Sequence, residues 1–343
     1  ANHLGCIRIK RILLMSRLPF ACSLLFAAFG GLLLTSCSEE EHLIPVPMTE
    51  QFAENLTAYD IYQGELQDLV PTNDYHLLEL NSPLFSNYSE KQRLVKLPVG
   101  TQILENGNGI PIFPEGTILV KTFYYFHDER DESLGKQVIE TRLLIKKEGL
   151  WNVATYIWND AQTEATLTLN GFDKQVRWTD ASGTDQVIDY HFPDQNECVA
   201  CHQQNAEVFP IGPSLRNLNI EVTRDNFTTN QLAHLQYVGL MNDFDVAQVE
   251  EIPDYKNEAL ALSARGRAYL DMNCAHCHNP AAWSKSADRN FDLRFETSLG
   301  DSRIVNKKDE IIRVIQEGEM PYLGTTVIDK EGVDLLVQYL RSL

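Results

Sequence analysis

Two short C-x-x-C-H motifs restrict the structure of this chain more than any other part of its sequence. They occupy residues 198–202, with the sequence CVACH, and residues 274–278, with the sequence CAHCH. Each motif places two thiols about one helical turn apart and an imidazole directly beside the second thiol. Thiols and imidazoles in this arrangement bind metals or attach a cofactor. The fold is therefore expected to leave both motifs accessible to a metal or a cofactor.

The first residues have the pattern of an export signal. Met15 is a plausible start, because Met15 to Arg17 form a short basic region and an apolar run follows, so residues 1–36 are predicted to be a signal peptide. The run ends in Leu-Thr-Ser-Cys37, which resembles a bacterial lipobox, and Cys37 is predicted to be lipidated. A transmembrane helix is the alternative, but the run is short for a span and lacks a basic stop beyond it.

The cysteine count supports a dedicated use of the motif thiols. The chain has seven cysteines, and three of them lie outside the motifs. Cys6 and Cys22 would leave with the signal peptide, and Cys37 would carry the lipid. Every remaining thiol then belongs to a C-x-x-C pair, so no disulfide framework is expected in this exported chain.

Three chemistries compete for the four motif thiols. A zinc ribbon would use all four, but it leaves both histidines unexplained, and the pairs lie far beyond ribbon spacing. A thioredoxin-like dithiol requires a βαβ setting that neither pair has. Haem c accounts for every motif residue, because two thiols bind one porphyrin and the adjacent imidazole binds its iron. The sequence therefore predicts two covalently bound haem c groups. The predicted attachment residues are Cys198, Cys201, Cys274 and Cys277, and the predicted proximal iron ligands are His202 and His278.

Residues 258–343 resemble a complete class I cytochrome c module. Gly266 and Leu270 precede the second motif at the positions that this family uses, one helical turn apart. The resemblance implies that Gly266 lets the last helix cross closely, with Leu336 and Tyr339 at the crossing. The last helix also has the amphipathic stripe of a packed helix, formed by Val333, Leu336, Val337 and Leu340.

Met320 is predicted to be the distal iron ligand of the second haem. It precedes Pro321 and follows an amphipathic stretch at residues 309–318, and the Met-Pro pair resembles the distal ligand loop of these cytochromes. Methionine is otherwise a flexible core residue, and the loop context favours the ligand role. A thioether ligand would give this haem a comparatively high reduction potential. His276, between the two thiols, is expected to face solvent and is given no role.

The ligands of the first haem are less constrained by the sequence. The segment PIGPSL resembles the cytochrome c turn in which a proline carbonyl accepts the Nδ1 hydrogen of the proximal histidine, so Pro213 is predicted to hold His202. An ordinary Gly-Pro turn is the alternative. Met241 is the first choice for the distal ligand. His234, which would share a helix face with Met241, is the second, and His191 or an open position is the third.

Residues 80–190 are predicted to form an antiparallel β sandwich or barrel-like domain. Segments rich in β-branched and aromatic residues alternate there with Gly, Asn and Asp turns. Residues 176–190 are predicted to be a hairpin around Ser182 and Gly183. The aromatic residues predicted to lie in the strand core are Trp151, Tyr156 and Trp158.

The expected fold class is α+β and multidomain. A lipidated tether and lead-in at residues 37–79 would precede the β domain, and two mainly helical haem regions would follow it, at residues 191–257 and 258–343. Three glutamates follow shortly after Cys37. They either solvate the tether or mark export to the cell surface.

The charge of the chain bears on its partners. The formal net charge is −19, and residues 1–36 contain four bases and no acid, so the mature part is more acidic still. Such a surface repels nucleic-acid phosphates, and no nucleic-acid partner is expected. The expected partners are a redox protein with a basic docking face and, through Cys37, the lipid bilayer.

The whole mature length resembles a bacterial family of exported di-haem c-type cytochromes with an N-terminal β domain. The resemblance rests on ECVACH, IGPSLRNLN, NQLAHL, CAHCHNP and several strand segments. It implies an electron-transfer lipoprotein of the cell envelope, on the outer membrane facing the periplasm or at the cell surface. The alternative is an enzyme, either a di-haem peroxidase or a haem oxidoreductase whose β domain binds substrate. The sequence shows no distal acid–base set for peroxidase chemistry, so an electron carrier is the leading hypothesis.

Overall fold

The computed structural model describes residues 50–224, 226–282 and 290–343. The predicted signal peptide and the predicted lipidation site Cys37 lie outside these residues. The described residues belong to one compact unit. Within the described ranges, no helix combines the length and the hydropathy that a membrane span requires.

Long strands come first in the chain and the longer helices come last. The described strands are β1 (His76–Leu77), β2 (Glu90–Lys96), β3 (Ile118–Phe126), β4 (Lys136–Lys147), β5 (Leu150–Trp158), β6 (Ala165–Thr168), β7 (Phe172–Thr179), β8 (Asp185–Phe192), β9 (Gln203–Gln204), β10 (Glu207–Val208), β11 (Glu221–Arg224) and β12 (Phe227–Asn230). The described α-helices are α1 (Gln195–His202), α2 (Leu215–Leu218), α3 (Gln231–Tyr237), α4 (Leu262–Asn273), α5 (Leu299–Ser302), α6 (Ile304–Gln316) and α7 (Lys330–Arg341).

Strands β1 to β6 form one antiparallel sheet in which each strand pairs with the next along the chain. The three longest strands, β3, β4 and β5, are rich in the β-branched and aromatic residues that suit a pleated, half-buried surface. Glu148 and Gly149, both with positive φ, make the tight turn between β4 and β5. The N-terminal region is therefore antiparallel and sheet-rich, as predicted.

One face of this sheet is covered by the chain segment that precedes it. Leu56 and Tyr62 belong to that segment and share a buried cluster with Leu143 and Tyr156 of the sheet. The prediction of an aromatic strand core is confirmed, since Trp151, Tyr156 and Trp158 are all buried.

Strands β7 and β8 form the predicted hairpin. Its turn contains Ser182 and Gly183, and Gly183 has a φ of +85°, which glycine adopts without strain. The Asp180 carboxylate accepts a hydrogen bond from Ser182 N at 2.9 Å and so closes the turn. The hairpin packs on the sheet through a cluster that includes Tyr125, Trp178, Tyr190 and Phe192.

The other face of the sheet shares its core with the region of the first C-x-x-C-H motif. Val95, Leu144 and Val153 of the sheet belong to the same buried cluster as Cys198 and Leu215. One hydrophobic core therefore spans the boundary predicted at the end of the β region, and the sheet acts as the support on which the first motif lies.

Helices α4 and α7 cross where a glycine of each helix faces a tyrosine of the other. A Cβ atom on Gly266 would overlap the ring of Tyr339, and a Cβ atom on Gly332 would overlap the ring of Tyr269. The close contact predicted for Gly266 is confirmed, and the structure adds a second one at Gly332. The predicted stripe of α7 faces the core, since Leu336, Val337 and Leu340 are buried and Val333 is half-buried.

Gly266→Ala is expected to destabilise the protein, because the new methyl group would push α4 and α7 apart at the Tyr339 ring. The free energy of unfolding should fall by about 1–3 kcal/mol, the usual cost of overpacking. Gly300→Ala is the matched control, since its Cβ would meet only Ser298 Oγ, at 3.9 Å. Thermal unfolding followed by circular dichroism measures both variants. Equal stability of the two would contradict the close crossing.

Candidate functional site

The first motif lies on α1, which begins with a capping box. The Asp194 carboxylate accepts a hydrogen bond from Glu197 N at 2.8 Å, and the Glu197 carboxylate accepts one from Asp194 N at 2.9 Å. The helix buries Cys198 and Val199, and Cys198 Sγ lies 3.9 Å from Thr155 Oγ1 on β5. Burial raises the pKa of the Cys198 thiol to about 11. The first thiol is therefore held against the sheet in its protonated form.

His202 ends α1 and pairs with Phe209 at two points. Its Nδ1 donates to the Phe209 carbonyl at 2.8 Å, and Phe209 N donates to the His202 carbonyl at 2.8 Å. The short hairpin of β9 and β10 turns the chain back after α1 and brings Phe209 to this place. This corrects the prediction for Pro213, which lies farther along the chain, before α2. With its proton on Nδ1, the ring keeps the Nε2 lone pair available for a metal.

The His202 ring is kept neutral by its surroundings. Burial is the main reason that its pKa is lowered to about 3. The Phe209 carbonyl opposes this shift, whereas the positive charges of Lys121 on β3 and Arg142 on β4 add to it. A neutral imidazole is the form that ligates metals.

The second motif follows α4 directly. Cys274 O accepts hydrogen bonds from Cys277 N at 3.1 Å and from His278 N at 2.9 Å, so the motif is a tight turn. The His278 ring packs edge-on against Phe291, with ring centroids 5.2 Å apart. Burial, and then the charge of Lys307, lower the pKa of His278, which favours the neutral ring. Its Nδ1 is buried and has no hydrogen-bond partner among the residues that the structure describes.

The two motifs meet at their second thiols. Cys201 Sγ, Cys277 Sγ and a ring nitrogen of His276 all lie within 4.8 Å of one another. A hydrogen bond between the two thiols is the main cause of the lowered pKa of Cys201 and of the raised pKa of Cys277. The main chains also join, since Asn205 N donates to Ala281 O at 3.0 Å. Cofactors attached to the two motifs would therefore adjoin.

This cluster differs from the four-thiol zinc site that the sequence allows. Across the described ranges, the group close enough to share a metal ion contains two thiols and one imidazole, and Cys198 and Cys274 are not part of it. The expectation that His276 faces solvent is wrong, because the turn after α4 directs its half-buried ring toward the first motif. Burial, followed by His278 and Lys121, lowers the pKa of His276 to about 4.

Met241 and His234, the first two candidates for the distal ligand of the first haem, lie in different surroundings. Met241 is 1% exposed and belongs to the buried cluster that contains Cys198. His234 lies on α3, half-buried, and contributes after burial to the lowered pKa of His76. Helix α3 ends before Gly239, whose φ is +78°, so Met241 and His234 do not share one helix face as predicted. Met241 is thus the candidate that lies inside the core of the first motif.

His191, the third candidate for the first haem, and Met320, the candidate for the second haem, are nearer the surface. His191 uses both ring nitrogens, because Nδ1 lies 2.7 Å from the Asp173 carboxylate and Nε2 lies 2.9 Å from the Glu197 carboxylate. Burial opposes the charged ring, but the hydrogen bonds to Glu197 and Asp173 raise the pKa of His191, as in an ion pair. Met320 lies in the loop between α6 and α7 and is 37% exposed, and its backbone N donates to Val314 O at 3.2 Å.

The sheet contributes three cationic residues near the first motif that were not predicted as site residues from the sequence. Arg93 on β2 lies opposite Lys121 on β3, which lies opposite Arg142 on β4. Residues two positions apart in a strand share a face, and each of these cations shares its face with an apolar residue two positions away. A cation on an otherwise apolar face breaks the alternation of the strand, and this break is the sequence signal that identifies all three.

Residues 263–343 match the family model of cytochrome c, and the match includes the second motif. This part of the chain is a cytochrome c domain. Searches of curated proteins and of solved structures found no match. A cytochrome c domain implies covalently bound haem c and haem-based electron transfer. The second motif has the groups that attachment requires, since Cys274 and Cys277 are free thiols and the His278 ring beside them is held in its neutral form.

Proposed function

We propose that this protein is a membrane-anchored di-haem c-type cytochrome that transfers single electrons between redox partners in the cell envelope. The cytochrome c domain accounts for the haem on the second motif. The observation that carries the proposal is the position of Cys201 in one 4.8 Å cluster with Cys277. The first motif offers the same chemical groups as the second, and its second thiol adjoins that of the second motif. Haems attached there would adjoin, which favours electron exchange between them.

The residues of this chain attach the haems and set the state of the iron ligands. Bound haem supplies one-electron chemistry at its iron. The Phe209 carbonyl orients the His202 ring and holds the proton on Nδ1, so the Nε2 lone pair is free to bind the haem iron. Burial keeps His202 and His278 neutral, so neither ring must lose a proton before it binds iron. Cys198, held at Thr155, fixes one attachment point to the sheet.

The charge of the chain supports a basic redox partner. With a formal net charge of −19, the protein would associate faster with a partner whose docking face is positive. We propose no nucleic-acid partner, since the same charge opposes binding to phosphate backbones. The lipobox-like segment before Cys37 supports an envelope location, on the outer membrane facing the periplasm or at the cell surface.

Each cysteine pair is expected to hold one haem. The double variants Cys198→Ala/Cys201→Ala and Cys274→Ala/Cys277→Ala should each lose one of two haem equivalents that stay attached after denaturation, because thioether bonds survive unfolding. Intact mass and haem staining of protein exported together with the haem-attachment machinery measure this. Wild-type protein that carries zinc and no porphyrin would rule out the proposed function.

Removal of a distal thioether should open the iron to small ligands. Met320→Leu is expected to lower the reduction potential of the second haem and let it bind carbon monoxide, with little loss of stability because Leu and Met have similar volumes. Met241→Leu should do the same at the first haem. The matched control is Met272→Leu, which alters a buried methionine of the C-terminal core.

The spectra of these variants also separate the candidate ligands and the candidate functions. If Met241→Leu leaves the first haem inert and His234→Ala opens it, His234 is the ligand. A wild-type protein that already binds carbon monoxide at the first haem and turns over hydrogen peroxide would favour an enzyme over a carrier.

Lipidation should depend on Cys37. Labelled palmitate is expected in the wild-type protein and absent from Cys37→Ala, which should remain an uncleaved or soluble precursor. Cys198→Ala is the matched control, since it removes a thiol without touching the lipobox-like segment. Label that persists in Cys37→Ala would exclude this anchor.

A further inference from the structure

The cationic row, which consists of Arg93, Lys121 and Arg142, runs across the sheet beside the first motif. Arg93 lies opposite Lys121, Lys121 opposite Arg142, and Arg142 opposite Thr155 on β5. Side chains of directly paired residues point to the same face of a sheet. Thr155 Oγ1 lies 3.9 Å from Cys198 Sγ, so this is the face on which the first motif lies.

The row contains more positive charge than its surroundings balance. Like charges placed directly opposite one another destabilise a sheet. Glu140 is fully buried, forms an ion pair with Arg142, and accepts a hydrogen bond from Tyr190 Oη at 2.7 Å. Neither Arg93 nor Lys121 forms an ion pair with a residue in the described part of the chain. The ion pairs of the row therefore supply one carboxylate for three cations, and Glu90 attracts Arg93 without forming an ion pair with it.

Two guanidinium nitrogens of the row lack acceptors. Arg93 Nη2 and Arg142 Nε are buried and have no hydrogen-bond partner within the described ranges. Such donors are rare in proteins, because a buried donor left unpaired destabilises the fold, and a charged one does so more strongly. Glu140 Oε2, beside Arg142, is a buried acceptor that is likewise unpaired, whereas Arg93 Nη2 forms no ion pair or hydrogen bond with a described residue. Arg93 in particular therefore lacks an acceptor within the described part of the chain.

The aromatic ring within the row offsets only part of this cost. The Phe123 ring centroid lies 4.8 Å from Lys121 Nζ and 4.8 Å from Arg142 Cζ. A cation–π contact stabilises a cation by less than the desolvation of its charge costs. Burial, followed by repulsion from Arg93 and Arg142, lowers the pKa of Lys121 well below its ordinary value. An anion beside the row would offset these effects.

We propose that the cationic row binds the propionate carboxylates of the haem attached to Cys198 and Cys201, an inference that rests on the proposed function. A haem c carries two propionates, which neither the thioether bonds nor the iron ligands engage. Guanidinium groups bind carboxylates through two parallel hydrogen bonds, and an ammonium group adds a point charge. The row lies next to the first motif, because Arg142 is paired with Thr155, which contacts Cys198. The N-terminal sheet is thus part of the haem-binding site.

The reduction potentials of haem-loaded, full-length protein test this inference. Lys121→Gln and Arg93→Gln should each lower one of the two potentials, because the loss of a positive charge beside a propionate favours the ferric state. The affected transition should be the one that disappears in Cys198→Ala/Cys201→Ala. Lys121→Arg should restore the wild-type potential. The matched control is Lys96→Gln, which removes a charge from β2 on the opposite face, where Lys96 pairs with Asp74 at 3.0 Å.

Spectroelectrochemical titration measures both reduction potentials, and its outcomes separate a failure of this inference from a failure of the proposed function. Potentials that shift equally in Lys121→Gln and Lys96→Gln overturn the inference, while covalent haem in those proteins leaves the proposed function intact. A wild-type protein without haem overturns the proposed function instead. Added succinate, a free dicarboxylate, should leave the wild-type potentials unchanged; a shift would show that the row binds free carboxylates. Arg93→Gln serves as the test if Lys121→Gln does not fold, as judged by circular dichroism.

Discussion

The packing of α1 against β5 places the first motif, and the remaining features of the site depend on it. Cys198 is buried beside Thr155, so the helix that carries the first thiol shares a core with the sheet. The end of the same helix carries Cys201 and His202, after which the chain turns back to Phe209. The sheet is thus the rigid element that orients both the attachment thiol and the iron ligand.

The features that follow from local pattern could be predicted from the residues alone, and most of those that require distant contacts could not. The hairpin at Gly183 was predictable because turn chemistry acts over a few residues. The contact of Gly266 with Tyr339 joins distant residues, and it was predicted only from the resemblance to class I cytochrome c. The Nδ1 acceptor of His202 was not, since a two-strand return decides between the carbonyls of Phe209 and Pro213. Likewise, the contact of Cys201 with Cys277 depends on how two distant segments pack.

The total charge of the chain hides the charge distribution that matters for the site. A net charge of −19 describes the exposed surface, which governs encounters with partners. Each cation of the row breaks the alternation of its own strand, but their alignment depends on strand register, because Arg93, Lys121 and Arg142 lie on three different strands. A few half-buried cations influence a nearby group more than many solvated acids, since solvent and salt screen the acids. The interior of the site is therefore positive although the chain is acidic.

The crossing of α4 and α7 has a consequence for the site as well as for stability. Helix α4 leads directly into Cys274, so the position of α4 sets the position of Cys277. The glycine contacts at Gly266 and Gly332 hold α4 close to α7 by backbone-to-ring contact, which tolerates little displacement. The sheet fixes Cys201 in the same way through α1. Two rigid supports, one in each half of the chain, thus determine the separation of the adjoining thiols, and any electron exchange between haems attached there would depend on both.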